Sequence, residues 1–351
     1  MQELREKNYY FKLGRHQQWL IDHIEANPEF VAPDYRRNEV LGFLKNNTLE
    51  DLCISRPKER LTWGIPLPFD PDYVTYVWFD ALTNYLSIPR ARGEESDLWP
   101  ADIHVIGKDI LKFHAVYWPI MLKAAGLALP KQVLVHGWWQ KDDQKMSKSI
   151  GNVVDPVAVI DDWGLDAFRY YVVRELAIGP DGNWTDESFA NRYHAELANG
   201  LGNLVNRSLS MLTRYREGIV PPQHDELATE AIAARDKLVG ELKSSELQAG
   251  LMTIWSFIAR MNQYVDETAP FKLAKDPKQA DRLGEVLYNL AEGCRLLAAW
   301  LQPYIPTTSQ RIREQLNLPV DFQNIAEENW GGLKGGHQIG TPEALFPRRD
   351  S

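Results

Sequence analysis

The stretch that most narrows what this 351-residue chain can fold into runs from Val133 to Pro156. Val133-Leu134-Val135 is a β-branched, apolar run that ends at Gly137, as a buried strand would. A polar segment follows, holding Lys145-Met146-Ser147-Lys148-Ser149. Asp155-Pro156 then opens a helix, with Asp155 as cap and Pro156 in the first helical position. Strand, polar loop and capped helix make an α/β unit. They put both lysines on a loop at the C-terminal edge of a sheet, where such folds bind ligands. A lysine is a compact charge on a flexible stem. Two of them can neutralise the charge that grows on a departing pyrophosphate. The ordinary reading of an isolated Lys-x-x-Lys is a solvated surface loop.

Upstream, Asn8–Leu13 is a strand-like aromatic patch, and a helix through Trp19, Leu20, His23 and Ile24 stops at Asn27-Pro28. His23 on that apolar face reads as a core residue. A second helix follows Pro33, and residues 50–80 alternate short strands with loops. Tyr73–Asp80 reads as a strand ending on Asp80, which caps a helix through Leu86. Asp102–Gly107 is another buried strand, and the helix after it, Ile110 to Leu122, is expected to kink at Pro119 and end at Gly126. No strand, Gly-rich turn and helix occur in residues 1–70, so the array reads as half of a doubly wound sheet.

Beyond Asp155 the pattern changes. Residues 156–178 read as helix and Pro180–Trp184 as a turn. Residues 228–243, 248–265 and 277–301 carry helical periodicity, with Pro303 to Pro306 closing the last. Short connections make them antiparallel neighbours in a bundle. The tail from Leu318 is expected to wrap the surface or stay partly loose. The expected domains are therefore 1–178, an α/β half; 179–320, an all-α bundle; and 321–351, a tail.

A net charge of −9 excludes a generally basic nucleic-acid coat, so an RNA partner must be met by a local basic face. Twelve tryptophans imply large aromatic packing or stacking surfaces. Cys53 and Cys294 form no metal or disulfide pattern and fit a reducing cytosol. No apolar run approaches the roughly 20 residues of a membrane helix. The charged start, Met1 to Lys7, is not a secretory signal.

Ile110, His114 and Trp118 fall at i, i+4 and i+8 on one helix face. With Trp78, Ala81 and Tyr85 they would wall an apolar pocket with one polar group, suited to a thioether. A packed core is the plainer reading of the same six. Asp109, at a strand end, suits a ribose, a substrate ammonium or simple helix capping. Asn203 and Arg207, at i and i+4, can read unpaired base edges or be a solvated helix face. Phe271 can stack on a base or be packed.

Taken together, Val77–Tyr85, Gly107-Lys108-Asp109-Ile110 with Phe113-His114 and Trp118-Pro119, Val135–Trp138, Lys145–Ser149, Asp166–Tyr171, Ala198–Leu204 and Tyr264–Pro270 resemble the bacterial-type methionyl-tRNA synthetases, class I aminoacyl-tRNA synthetases. The resemblance covers nearly the whole chain. It implies a partial Rossmann-like catalytic half followed by an anticodon-binding helix bundle. It also implies activation of methionine by ATP, as its Mg2+ complex, and transfer to tRNA(Met) in the cytoplasm.

By resemblance, Trp78, Ala81, Tyr85, Ile110, His114 and Trp118 line the methionine pocket. Asp109, His136, Gly137, Trp138, Met146, Ser147 and Lys148 lie by ATP. Lys148, Lys145 and Arg56 are the catalytic cations, and Asn203, Arg207 and Phe271 read the anticodon.

The chain departs from the pattern in three places. The family's His-Ile-Gly-His motif is absent, the zinc knuckle is absent so no metal site is expected, and Phe271 stands where tryptophan is usual. The expectation is a C-terminal portion that activates methionine poorly alone, with a separate N-terminal half as a possible partner. The alternatives are a class I synthetase for another apolar amino acid and a non-catalytic tRNA-binding module.

Overall fold

The structure is a computed structural model that describes residues 6–321 and 323–347, with the backbone alone at Ser96. Residues 1–5 of the charged start and 348–351 of the tail lie outside it. Contacts divide the chain into two units, Met1–Trp138 with Ile178–Pro180 and Trp139–Ala177 with Asp181–Ser351.

Among the described residues the first unit holds eight short strands: β1 (Tyr10–Phe11), β2 (Val31–Ala32), β3 (Leu52–Cys53), β4 (Ser55–Pro57), β5 (Pro66–Leu67), β6 (Asp70–Thr75), β7 (Ile103–Gly107) and β8 (Gln132–His136). The expected parallel pair is present, with His104 opposite Val133 and Gly107 opposite His136. The third parallel strand, β2, was not foreseen, giving the order β2-β8-β7. Two residues before a proline carry too little pattern to read as a strand.

Helices Gln17–Ala26 and Asp34–Asn46 stand as expected. They share a core with the sheet through Leu20, Ile24, Val40, Val133 and Val135. Antiparallel β4-β6-β5 forms a separate layer.

Two expectations fail here. Strand β6 stops at Thr75, and Val77–Ala81 is already helical, with Tyr76 rather than Asp80 at the cap. Trp78 therefore sits in a helix and not at a strand end. The run from Lys108 is not one kinked α-helix either. It passes through a 3-10 turn (Lys108–Ile110) and a π-helical stretch (Phe113–Tyr117) before helix Trp118–Ala125, with Pro119 in the first turn. Proline has no N–H to donate, so the wider π turn lies where it costs least. Gly126 ends the helix at φ 70°, as foreseen.

The second unit opens with a hairpin, β9 (Trp139–Lys141) and β10 (Gln144–Lys145). Asp142 and Asp143 turn it at φ 50° and 61°, a left-handed conformation that the short polar side chain of aspartate tolerates. β11 (Gly182–Trp184) pairs parallel to β9, where a plain turn was expected. Residues 156–178 are two helices, Pro156–Trp163 and Leu165–Glu175, parted by Gly164 at φ 91°. Asp155 caps the first, its Oδ1 accepting from the Val157 N–H at 2.9 Å.

The long helices follow: Asn203–Arg216, Ala228–Lys243, Leu247–Thr268 and Ala280–Leu301. A further helix, Pro306–Gln315, was missed because Pro306 reads as a stop but serves as the first helical residue. The described part of the tail is packed against the helices. Leu333, Ile339 and Leu345 are buried in the core of this unit.

Candidate functional site

In the first unit the π-helical stretch carries the chemistry. His114 is buried, and its Nδ1 lies 3.0 Å from the Ile110 carbonyl. A carbonyl only accepts, so Nδ1 carries the proton and Nε2 presents a lone pair. The Tyr85 hydroxyl, 2.9 Å away, therefore donates to Nε2. Burial holds the His114 ring below its ordinary pKa, against the pull of the Ile110 carbonyl, and raises that of the Tyr85 phenol. The pair is neutral.

Aromatic rings surround the pair. Tyr85 lies 6.1 Å from buried Trp118, and Trp78 stacks on Phe113 at 3.9 Å. Ala81 and Ile110 are partly buried in adjoining turns. The structure thus brings Tyr85, His114, Trp118 and Ile110 together as the sequence expected, while Trp78 arrives through Phe113. Trp118 also walls a separate apolar cavity of about 340 Å³ with Phe11, Phe79, Thr83 and Leu86.

His104 was missed. It is 5% exposed, 4.3 Å from the Tyr85 ring and 6.2 Å from His114. Its alternation with Ile106 in β7 was the available signal. Burial, then the neighbouring His114, lowers its pKa to about 4. An unfolded histidine protonates near 6.5, so His104 contributes stability that is intact above that pH and lost as pH falls toward 4. The loss over this window is expected to reach about 3 kcal/mol. Urea unfolding at pH 7 and pH 4.5 would show it, and His104→Phe should flatten the difference. A profile unchanged by that substitution refutes the account.

At the ends of β7 and β8, the Trp138 indole N–H donates to Asp109 Oδ1 at 3.2 Å. Lys108 Nζ lies 4.3 Å over the Trp138 ring, a contact the sequence did not reveal. Gly107 gives Asp109 room here: a Cβ would stand 2.6 Å from Asp109 Oδ1 and push that carboxylate aside. His136 is exposed, and its Nδ1–H donates to the Gly137 carbonyl at 2.8 Å. Arg56 lies 4.7 Å over the Tyr76 ring and donates to the Ser55 carbonyl at 2.7 Å and to Cys53 Sγ at 3.1 Å.

In the second unit Lys145 ends β10, opposite Gln140. Lys145 thus belongs to the sheet β10-β9-β11 and not to the parallel sheet, a correction to the expected placement, while Lys148 lies in the loop that follows. Lys145 and Lys148 are exposed, whereas Met146 packs against the core of this unit. Asn152, also missed, bonds back to Ser147 and Lys145. Arg207 donates to Asn262 Oδ1 at 3.1 Å and lies 3.7 Å from Asp266. Asn203 is exposed at the start of the same helix, and Phe271 is 49% exposed in the short helix Pro270–Leu273. Among the described residues, no group of three His, Cys, Asp or Glu side chains is arranged to hold a metal ion. No helix among them is long and apolar enough to cross a membrane.

Two family models match. One, tRNA synthetases class I (M), covers residues 1–209, and the other, the anticodon binding domain of methionyl tRNA ligase, covers 220–350. The methionine–tRNA ligase of Clostridium tetani is 44% identical over all of this chain and 56% of its own length. That of Bacillus subtilis is 41% identical over 99% of this chain and 54% of its own. Methionyl-tRNA synthetase of Mycobacterium tuberculosis, solved with methionyl-adenylate, superposes with a TM-score of 0.88 at 37% identity. The match covers 97% of this chain and 69% of that one. The chain spans a little over half the length of the curated relatives it matches.

Proposed function

The chain belongs to the methionyl-tRNA synthetase family, and from that premise we propose that it serves ATP-dependent activation of methionine and its transfer to tRNA(Met). The observation that carries this reading is the neutral Tyr85–His114 pair set among Trp118, Trp78 and Phe113. A pocket without formal charge, walled by rings, suits an uncharged thioether. Trp78, Ala81, Tyr85, Ile110, His114 and Trp118 are its proposed lining.

Asp109, braced by Trp138, and the His136-Gly137 backbone are assigned to the adenosine, and Met146 and Ser147 are assigned to ATP as well. Lys148, assisted by Lys145 and Arg56, stabilises charge on the departing pyrophosphate. ATP as its Mg2+ complex would be the substrate. Asn203, Arg207 and Phe271 are assigned to the anticodon. The assigned extents are 1–178 for the catalytic part, 179–320 for the anticodon-binding part and 321–351 for the tail. The cytoplasm is the proposed compartment, in keeping with two free thiols.

The relatives are longer than this chain, and positioning groups act as a unit, so full activity is expected only where the remainder of their length is also present. Pyrophosphate exchange with methionine, leucine and valine, run with the chain alone and with the N-terminal part of the Clostridium tetani relative added, tests this. Methionine-dependent exchange in the mixture, at least about tenfold above leucine and valine, is expected. Equal use of leucine would reassign the amino acid. Anticodon-dependent tRNA binding without exchange in either arm would make this a tRNA-binding module.

A further inference from the structure

We propose that Asn152 is the positioning residue of the lysine segment, its side-chain amide presetting the backbone from which Lys145 and Lys148 reach a polyphosphate. This rests on the phosphate-holding role assigned to the lysines above.

Asn152 Oδ1 accepts from the Ser147 N–H at 2.8 Å, and its Nδ2 donates to the Lys145 carbonyl at 3.2 Å. One flat group thus ties residues on either side of Met146. A backbone N–H can meet only the amide oxygen and a carbonyl only the amide nitrogen, so the two partners fix the orientation of the side chain. Aspartate would satisfy one of them and alanine neither.

The rest of the segment is built to let Asn152 reach back. Ile150 and Gly151 both donate their N–H to the Ser147 carbonyl at 3.1 Å, and Gly151 turns the chain at φ 75°. Ser147 Oγ lies 2.8 Å from Ser149 Oγ. Lys145 is anchored on the sheet by its pairing with Gln140, while residues 146–152 belong to no strand or helix. Side-chain-to-backbone bonds of this kind take the place of ladder bonds in such a loop. A cationic loop already ordered before it meets an anion spends less of its binding free energy on ordering. Asn152 acts through the backbone of Lys145 and Ser147, so it is not itself a catalytic residue.

The test compares the chain with its Asn152→Ala and Asn152→Asp variants by three measurements: peptide-resolved amide exchange over 144–151, titration with inorganic pyrophosphate, and thermal midpoint. Loss of both bonds is expected to speed exchange at Ser147 by about tenfold or more and to weaken pyrophosphate by a similar factor. The midpoint should hold, because the segment is largely exposed. The aspartate variant, which keeps the bond from Ser147, should fall between. Unchanged exchange and binding in the alanine variant would overturn the proposal. So would a fall in midpoint with exchange raised across the whole unit, which marks a merely structural role. Exchange that responds to Asn152 while none of the three proteins binds pyrophosphate would overturn the phosphate role of the lysines and leave Asn152 an ordering residue only.

Discussion

Replacing Glu292 by alanine is expected to destabilise the helical unit by about 3–5 kcal/mol. Glu292 sits inside helix Ala280–Leu301 with 0% exposure, a position that would ordinarily exclude a carboxylate. It is held there by five donors. Arg295 meets it at 2.7 and 3.0 Å, and the backbone N–H groups of Gly331, Gly332 and Leu333 point at it from 2.8 to 2.9 Å. Burial alone would lower the pKa of Arg295, but the carboxylates of Glu292 and Glu328 outweigh it and raise it. Alanine would leave three backbone N–H groups and the Arg295 Nε–H unpaired, while the rest of the guanidinium keeps Glu328 and the Asn329 carbonyl. The loss of buried partners is the costly part. Glu292→Gln keeps the shape but turns a donor toward donors, so it should cost nearly as much. Urea unfolding measures both, and a loss below about 1 kcal/mol in the alanine variant would refute this account.

Trp118→Ala should cost the first unit about 3–5 kcal/mol and abolish any thermal response to methionine. Trp118 packs with Leu82, Leu86, Met121 and Leu122 and faces the rings of Trp99, at 5.9 Å, and Tyr85. Trp118 also walls the apolar cleft of about 340 Å³ beside it, so truncation strips one side of that cleft of its contacts. Trp118→Phe should restore much of the stability but only part of the methionine response. If alanine left the urea midpoint of this unit in place, Trp118 would not be the wall described.

Much of this was legible in the chain. Val133–Val135 and Ile103–Ile106 announced parallel strands because they are short runs of mostly β-branched, apolar residues, and the Asp155-Pro156 cap stood where it was read. Helix Ala228–Lys243 matched to the residue, since amphipathic periodicity over sixteen positions leaves little room for error. What was not legible depended on distant partners. β11 is a strand only because β9 lies beside it. The Val77–Ala81 run has strand-forming residues yet is helical, because tertiary packing overrides a weak local preference. At the site, helical spacing found Ile110, His114 and Trp118, even though the path joining them is partly 3-10 and partly π. Asn152 escaped notice because an isolated polar residue in a loop has no period to betray it, and His104 because its alternation with Ile106 spans a single short strand.

Strand β7 forms the rim of the parallel sheet, and its two faces differ in cover. His104 and Ile106 point into protein, whereas Ile103 and Val105 stand 43% and 65% exposed. Parallel sheets are normally clad on both sides. A molecule that leaves β-branched carbons and a ladder rim facing solvent has a sticky side, and its colloidal behaviour follows. Sulfate or gentle warming, which strengthen apolar association, push such molecules together, while low concentrations of urea keep them apart.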